Sequence, residues 1–203
     1  MLVMVTTAAI AEKDISFAEA HWDTLSDWVK YLLQYGEDPE NQLCTDDFAG
    51  HLAHNCNLSI KAIMGVACFG LLHRMKGNEA EYQHYIAEAR RMAASWADRA
   101  ANGDGSYRLA CDRPGTSSMK YNAVWDKLFG TNIFPAEVLE SEAQTNFTRF
   151  KPYGMPLDNR ADYTKSDWLV WTATLLQSDA DFERYIAPLW TSYHFTRHRV
   201  PMT

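Results

Sequence analysis

Apolar residues recur at helical spacing along nearly the whole chain, and strict alternation of apolar and polar residues never lasts more than a few positions. A chain patterned this way buries one stripe of each helix against its neighbours and offers no half-buried strand face, so the fold class it predicts is all-α. The expected helices run over 1–12, 15–35, 51–75, 78–101, 118–129, 135–149, 167–177 and 179–196. In the second, Phe17, His21, Trp22, Leu25, Trp28, Val29, Leu32 and Leu33 form a core stripe, which Gly36 and Pro39 bring to a stop. In the fourth, Tyr82, Tyr85, Ile86, Ala89, Met92, Ala93 and Trp96 alternate with charged residues such as Glu88, Arg90 and Arg91, giving one buried and one wet face.

Charge narrows the partners. The net charge is -7, and the 19 Lys and Arg residues are scattered rather than clustered, so no nucleic-acid partner is expected. The opening "MLVMVTTAAIAEKD" lacks a basic leader and is too short to span a bilayer, which predicts a core helix and no membrane partner. Cys44, Cys56, Cys68 and Cys111 form no CxxC pair and are expected to be structural thiols. A helix starting at residue 1 and a stop at "RHRVPMT" just after another helix suggest a piece of a larger protein, with residues 1–203 forming one helical domain of it. The chain contains no Gly-rich phosphate loop, HExxH or GxSxG motif, and no cofactor is expected.

Three connections are longer than a tight turn: 36–50, 102–117 and 150–166. Long loops rich in Gly, Pro and Asp are disproportionately functional, and helical hairpins would gather these three at one end. In "CTDDFAGHLAHN", Asp46 or Asp47 suits a helix cap near His51, a role that accounts for one carboxylate but not both. His51, Asn55 and Ser59 then fall at i, i+4 and i+8 with His54 alongside, a polar stripe that reads either as a pocket wall or as satisfied core histidines. A metal would need a third ligand that the histidines lack, so none is expected.

In "KYNAVWDKLFG", Trp125 and Asp126 share a short helix, where an aromatic ring could orient a ligand and a carboxylate could handle a proton. An ion pair of Asp126 with Lys120 or Arg113 is the structural alternative. The third loop and the helix after it supply Asp158, Arg160, Asp162, Lys165, Asp167, Trp168 and Trp171, with Ser166 or Asp167 suited to capping that helix. Two carboxylates whose environments split their pKa values can perform acid and base catalysis on a glycosidic bond or on some amides. Arg113, Arg160 or Lys165 could bind the α-carboxylate of an amino-acid substrate, whereas a wall of Trp125, Trp168 and Trp171 would suit a sugar.

The runs "YGEDPENQLCTDDFAGHLAHNCNLSIKAIMG", "YRLACDRPGTSSMKYNAVWDKLFG", "YGMPLDNRADYTKSDWLVWTATL" and "RVPM" closely resemble, in order, the central helical domain of the glutaminase A family. The resemblance implies a six-hairpin (α/α) toroid like that of many glycosidases, in a larger secreted or periplasmic protein that hydrolyses L-glutamine to L-glutamate and ammonia. It carries over Asp46, Asp47, His51, His54 and Asn55 from the first run, Arg113, Trp125 and Asp126 from the second, and Asp158, Lys165, Asp167 and Trp168 from the third. The catalytic candidates are Asp46, Asp47, His54, Asp126 and Asp167. The expected partner is a small-molecule substrate, glutamine or a sugar. Eight helices against the twelve of a closed toroid imply an incomplete ring, an exposed apolar edge, and missing parts of the parent protein packed against it. A glycoside hydrolase and a non-catalytic ligand-binding scaffold are the alternatives.

Overall fold

The computed structural model describes residues 1–40, 42 and 49–197, and among these the regular structure is entirely helical, with isolated β-bridges but no strands. The elements are α1 (Leu2–Glu12), α2 (Ser16–Ala20), α3 (Trp22–Tyr35), α4 (Cys56–Met75), α5 (Glu79–Ala100), α6 (Val124–Phe129), α7 (Ala136–Asn146), α8 (Ser166–Ala173) and α9 (Asp179–Phe195). Single 3₁₀ turns precede α6 (Tyr121–Ala123) and follow α7 (Phe147–Arg149).

α4 is the axis of the molecule. Its sequence is apolar on every side, and Ile60, Ile63, Met64, Val66, Cys68 and Leu72 are all fully enclosed. A helix hydrophobic all round must be covered all round, and α1, α3 and α5 pack against it. α4 is long and apolar enough to cross a membrane by length and composition, yet 89% of that stretch is buried inside the molecule. Each enclosed Ile, Leu or Met removes enough apolar surface from water to contribute about 1.5–3 kcal/mol, an upper bound against a compact unfolded chain. Two polar bonds fix how the neighbours sit: Thr6 Oγ1 donates to the Cys68 carbonyl at 3.2 Å, and Trp96 Nε1 donates to the Cys56 carbonyl at 2.9 Å.

Several expectations change. The helix expected over 15–35 is broken at His21, whose φ of -119° and ψ of 20° end α2 and begin α3. Of the stripe assigned to its core face, Leu25 and Val29 are buried, while Phe17 and Trp28 stand 63% and 39% exposed. The helix expected from 51 starts five residues later, at Cys56, because His54 has a left-handed φ of 60° and Asn55 is the cap. The Asn55 side chain accepts from the Leu58 N–H at 2.8 Å. His51, Asn55 and Ser59 therefore share no helical face, and the N-cap position of α8 is Lys165, with Ser166 and Asp167 as the first two residues of the helix.

Candidate functional site

The three long loops meet at one end of the helices, and backbone atoms join them. Asn55 and Ala110 oppose each other in an antiparallel bridge, with Cys56 N donating to Leu109 O and Cys111 N to His54 O, both at 2.9 Å. Ser118 bridges Asp158, and Met119 N donates to Leu157 O at 2.8 Å. Asn159 closes a reciprocal pair with Ser117, its N–H on the Ser117 carbonyl at 3.1 Å and its side-chain oxygen accepting the Ser117 N–H at 2.9 Å. Arg160 Nη1 reaches the Ala49 carbonyl at 3.2 Å, tying the third loop to the first. Beneath the junction, Leu52, Leu109 and Ala110 form a small apolar cluster of their own.

On this rim His54 is paired with Asp38. The His54 Nδ1 lies 2.8 Å from the Asp38 carboxylate, and the two side chains are 40% and 51% exposed, so the pair is open to solvent. The Asp38 hydrogen bond holds the imidazole pKa above its ordinary value, against an opposing effect of burial. Arg99, at the end of α5, stands 3.8 Å from the same Asp38 oxygen and donates to the Glu37 carbonyl at 2.6 Å. Glu37 in turn binds Arg91 at 2.6 Å and Ser95 at 3.2 Å. Ser59 anchors the same segment by donating to the carbonyls of Gly36 and Glu37. Asp46 and Asp47, and Cys44 beside them, lie outside the described residues. His51 is exposed just before the cap of α4.

Asp126 is placed differently from a catalytic carboxylate with a free edge. It is buried, and its oxygens accept from Thr131 Oγ1 at 2.6 Å, from Ile133 N at 3.0 Å and from Phe134 N at 2.9 Å. Gly130, at a left-handed φ of 61°, ends α6 and curls the following residues back onto this carboxylate. Neither Lys120 nor Arg113 is the partner expected for it. Lys120 is fully buried with Glu142 at 3.1 Å, and its ammonium also donates to the carbonyls of Tyr107 and Ser118 and to the Ser118 hydroxyl. The second Glu142 oxygen accepts from Tyr107 N at 2.8 Å. Arg113 is exposed.

Asp158 is also buried, held by the Arg160 guanidinium at 2.9 and 2.6 Å and by the Arg160 N–H at 2.8 Å. Arg160 is thus committed to Asp158 and Ala49. Lys165 Nζ sits 4.6 Å over the Trp168 ring, and that ring stacks on Tyr121 with centroids 4.2 Å apart and a 4° interplanar angle. Trp125 contacts Phe129 and the edge of Trp171. Asp167 is exposed in the first turn of α8, where it accepts from Trp168 N at 3.0 Å.

A polar cavity of about 430 Å³ lies between the second and third loops, lined by Ser117, Arg149, Lys151, Asp158 and Asn159 among others. A more apolar one of about 330 Å³ lies between α1, α3 and α4, beside the first loop, with Trp28, Tyr31, Tyr35 and Lys61 in its wall. Neither the Trp125, Trp168 and Trp171 set nor the Arg113, Arg160 and Lys165 set lines either cavity.

Sequence reasoning missed Asp38, Arg99 and Glu142. Asp38 sat in plain view in "YGEDPEN", sixteen residues before His54, but only the loop's path brings the two together. It also missed the Asn57 and Asn122 pair, in which Asn122 N and Nδ2 donate to the Asn57 side chain and carbonyl, each at 3.2 Å, fastening α4 to the turn before α6.

Such a chain is an all-helical array whose long loops converge on one rim carrying a solvent-open histidine–carboxylate pair. It matches the glutaminase A six helical-hairpin domain across residues 1–203 and belongs to that family. It is 30% identical over 178 residues to a protein named Glutaminase A from Aspergillus oryzae, covering 86% of this chain and 26% of that protein. It is 29% identical over 169 residues to a protein named Probable glutaminase from Arthroderma benhamiae, covering 70% of this chain and 20% of that one. The chain thus spans about a quarter or less of the length of these relatives. No solved structure matches it.

Proposed function

We propose that this domain contributes the hydrolytic centre of a glutaminase-type amidohydrolase acting on L-glutamine, with the rim around His54 as the reacting site. The observation that carries the reading is the His54–Asp38 pair, open to solvent on the loop that also bears Asp46 and Asp47. Amide hydrolysis needs a base to take a proton from the attacking water and an acid to protonate the departing nitrogen. Asp46 or Asp47 serves as the base. His54, kept more protonated by Asp38, serves as the acid that turns the leaving group into ammonia. Asp126 takes no part in the proton transfers, because its oxygens are occupied by its own turn. The α-carboxylate of the substrate pairs with Arg113 or Lys165, since Arg160 is spent on Asp158.

Ammonia release from L-glutamine by the full-length protein tests this, run beside a panel of glycosides and with Asp46→Asn, Asp47→Asn, His54→Gln and Asp167→Asn each in turn. One of the Asp46 and Asp47 variants, together with His54→Gln, should lower kcat/KM by about 10²–10⁴-fold in folded protein, the usual contribution of a positioned acid or base. Full activity in all of them, or turnover of a glycoside in place of glutamine, would reject the assignment.

A further inference from the structure

Beside the His54–Asp38 pair, two thiols face each other without a role in the hydrolytic reading. The Cys56 and Cys111 sulfurs are 3.4 Å apart although 55 residues separate them in the chain. Backbone rungs hold both partners: Cys56 N on Leu109 O, Cys111 N on His54 O, and the Cys56 carbonyl on the Trp96 indole. The approach is therefore set by the main chain, and the sulfurs must close from 3.4 Å to a covalent S–S separation of about 2.05 Å to form a bond. Cys56 is buried at the first residue of α4, while Cys111 is partly open. The Arg99 guanidinium lies 4.0 Å from the Cys111 sulfur.

We propose that Cys56 and Cys111 are an oxidation site, which a hydroperoxide converts to a disulfide joining the start of α4 to the 102–117 loop. Cys111 is the sulfur that reacts first. Its thiol is held down to about 7, first by the hydrogen bond from Cys56 and then by the charge of Arg99, while the same contact and, after it, burial push the Cys56 thiol up. The Cys111 thiolate attacks one peroxide oxygen, the O–O bond breaks, and the departing oxygen leaves as water once protonated, leaving Cys111 as a sulfenic acid. The Cys56 sulfur then attacks the sulfenic sulfur, loses its proton, and expels a second water as the S–S bond forms. Two thiols and one hydrogen peroxide thus give one disulfide and two waters. Cys68 supplies an internal control, because it is fully enclosed and its thiol is pushed up to about 12 by burial.

The test treats the full chain with hydrogen peroxide, alkylates the remaining thiols, and maps peptides with and without reductant. A peptide pair linking Cys56 to Cys111, lighter by two hydrogens and released by reductant, with Cys68 still reduced, is the expected result. In Cys56→Ser the reaction should stop at a Cys111 sulfenic acid that dimedone captures. The inference is overturned if peroxide leaves both thiols alkylatable in the unmodified chain, or if the bridge forms through Cys44. The unmodified chain decides the question whether or not the variant folds.

Discussion

Asp126 shows how much a residue's surroundings can change its meaning. Its oxygens terminate a tight turn, so Asp126→Ala strands the Ile133 and Phe134 N–H groups and should cost about 2–4 kcal/mol in urea unfolding. The type of residue beside Trp125 was visible in the sequence, but the turn that folds back from Gly130 to consume it was not. Lys120 makes the same point with opposite charge. Lys120→Met leaves Glu142 buried and unpaired, and should destabilise by about 3–5 kcal/mol, more than the hydrophobic gain returns. His54 gives a prediction readable by NMR. Because Asp38 raises its pKa, the pair's contribution is complete below the ordinary value of about 6.5 and disappears as pH rises through the higher folded value. The ring should titrate above its free position in the native chain and move back down in Asp38→Asn; an unchanged midpoint would mean that the pair does not form in solution.

At the level of elements, the 3.6-residue period found helix in each of the eight expected stretches, since burial of an apolar stripe is a local demand that sequence records directly, although α6 starts only at Val124 in the stretch expected from 118. Apart from the break at His21, its failures were at ends. Where α4 begins depends on a positive φ at His54 and on a bridge to Ala110, a segment 55 positions away, and periodicity contains neither. The end of α3 is equally specified by contact. A methyl group on Gly36 would stand 2.5 Å from the Leu32 carbonyl oxygen and 2.8 Å from the Ala62 side chain, both rigid. Gly36→Ala should therefore push α3 away from α4 and cost about 1–3 kcal/mol. Gly65→Ala should be milder, because the atom it meets is the movable tip of Leu32, and paired thermal melts would show the order.

Across the whole molecule, the gathering of the loops followed from their position between hairpins, whereas the pairing of Asp38, His54 and Arg99 required the actual path of the chain. Large apolar side chains remain exposed, among them Met4 on α1, Trp28 and Tyr31 on α3, and Trp190 and Phe195 on α9, the last two at 68% and 73%. Faces of this kind drive association, so sedimentation of the chain should show concentration-dependent oligomers. Replacing Trp190 and Phe195 together by Ser should weaken association about tenfold or more if the α9 face is the one used. The rim itself is fastened largely by peptide groups, from Cys56 to Leu109, Cys111 to His54 and Met119 to Leu157. Every amino acid except proline brings the same amide donor and carbonyl acceptor, so these fastenings place little demand on side-chain identity. The loops can accumulate new side chains while the platform beneath them keeps its shape, which makes the rim the part of this molecule whose surface chemistry is most free to diverge.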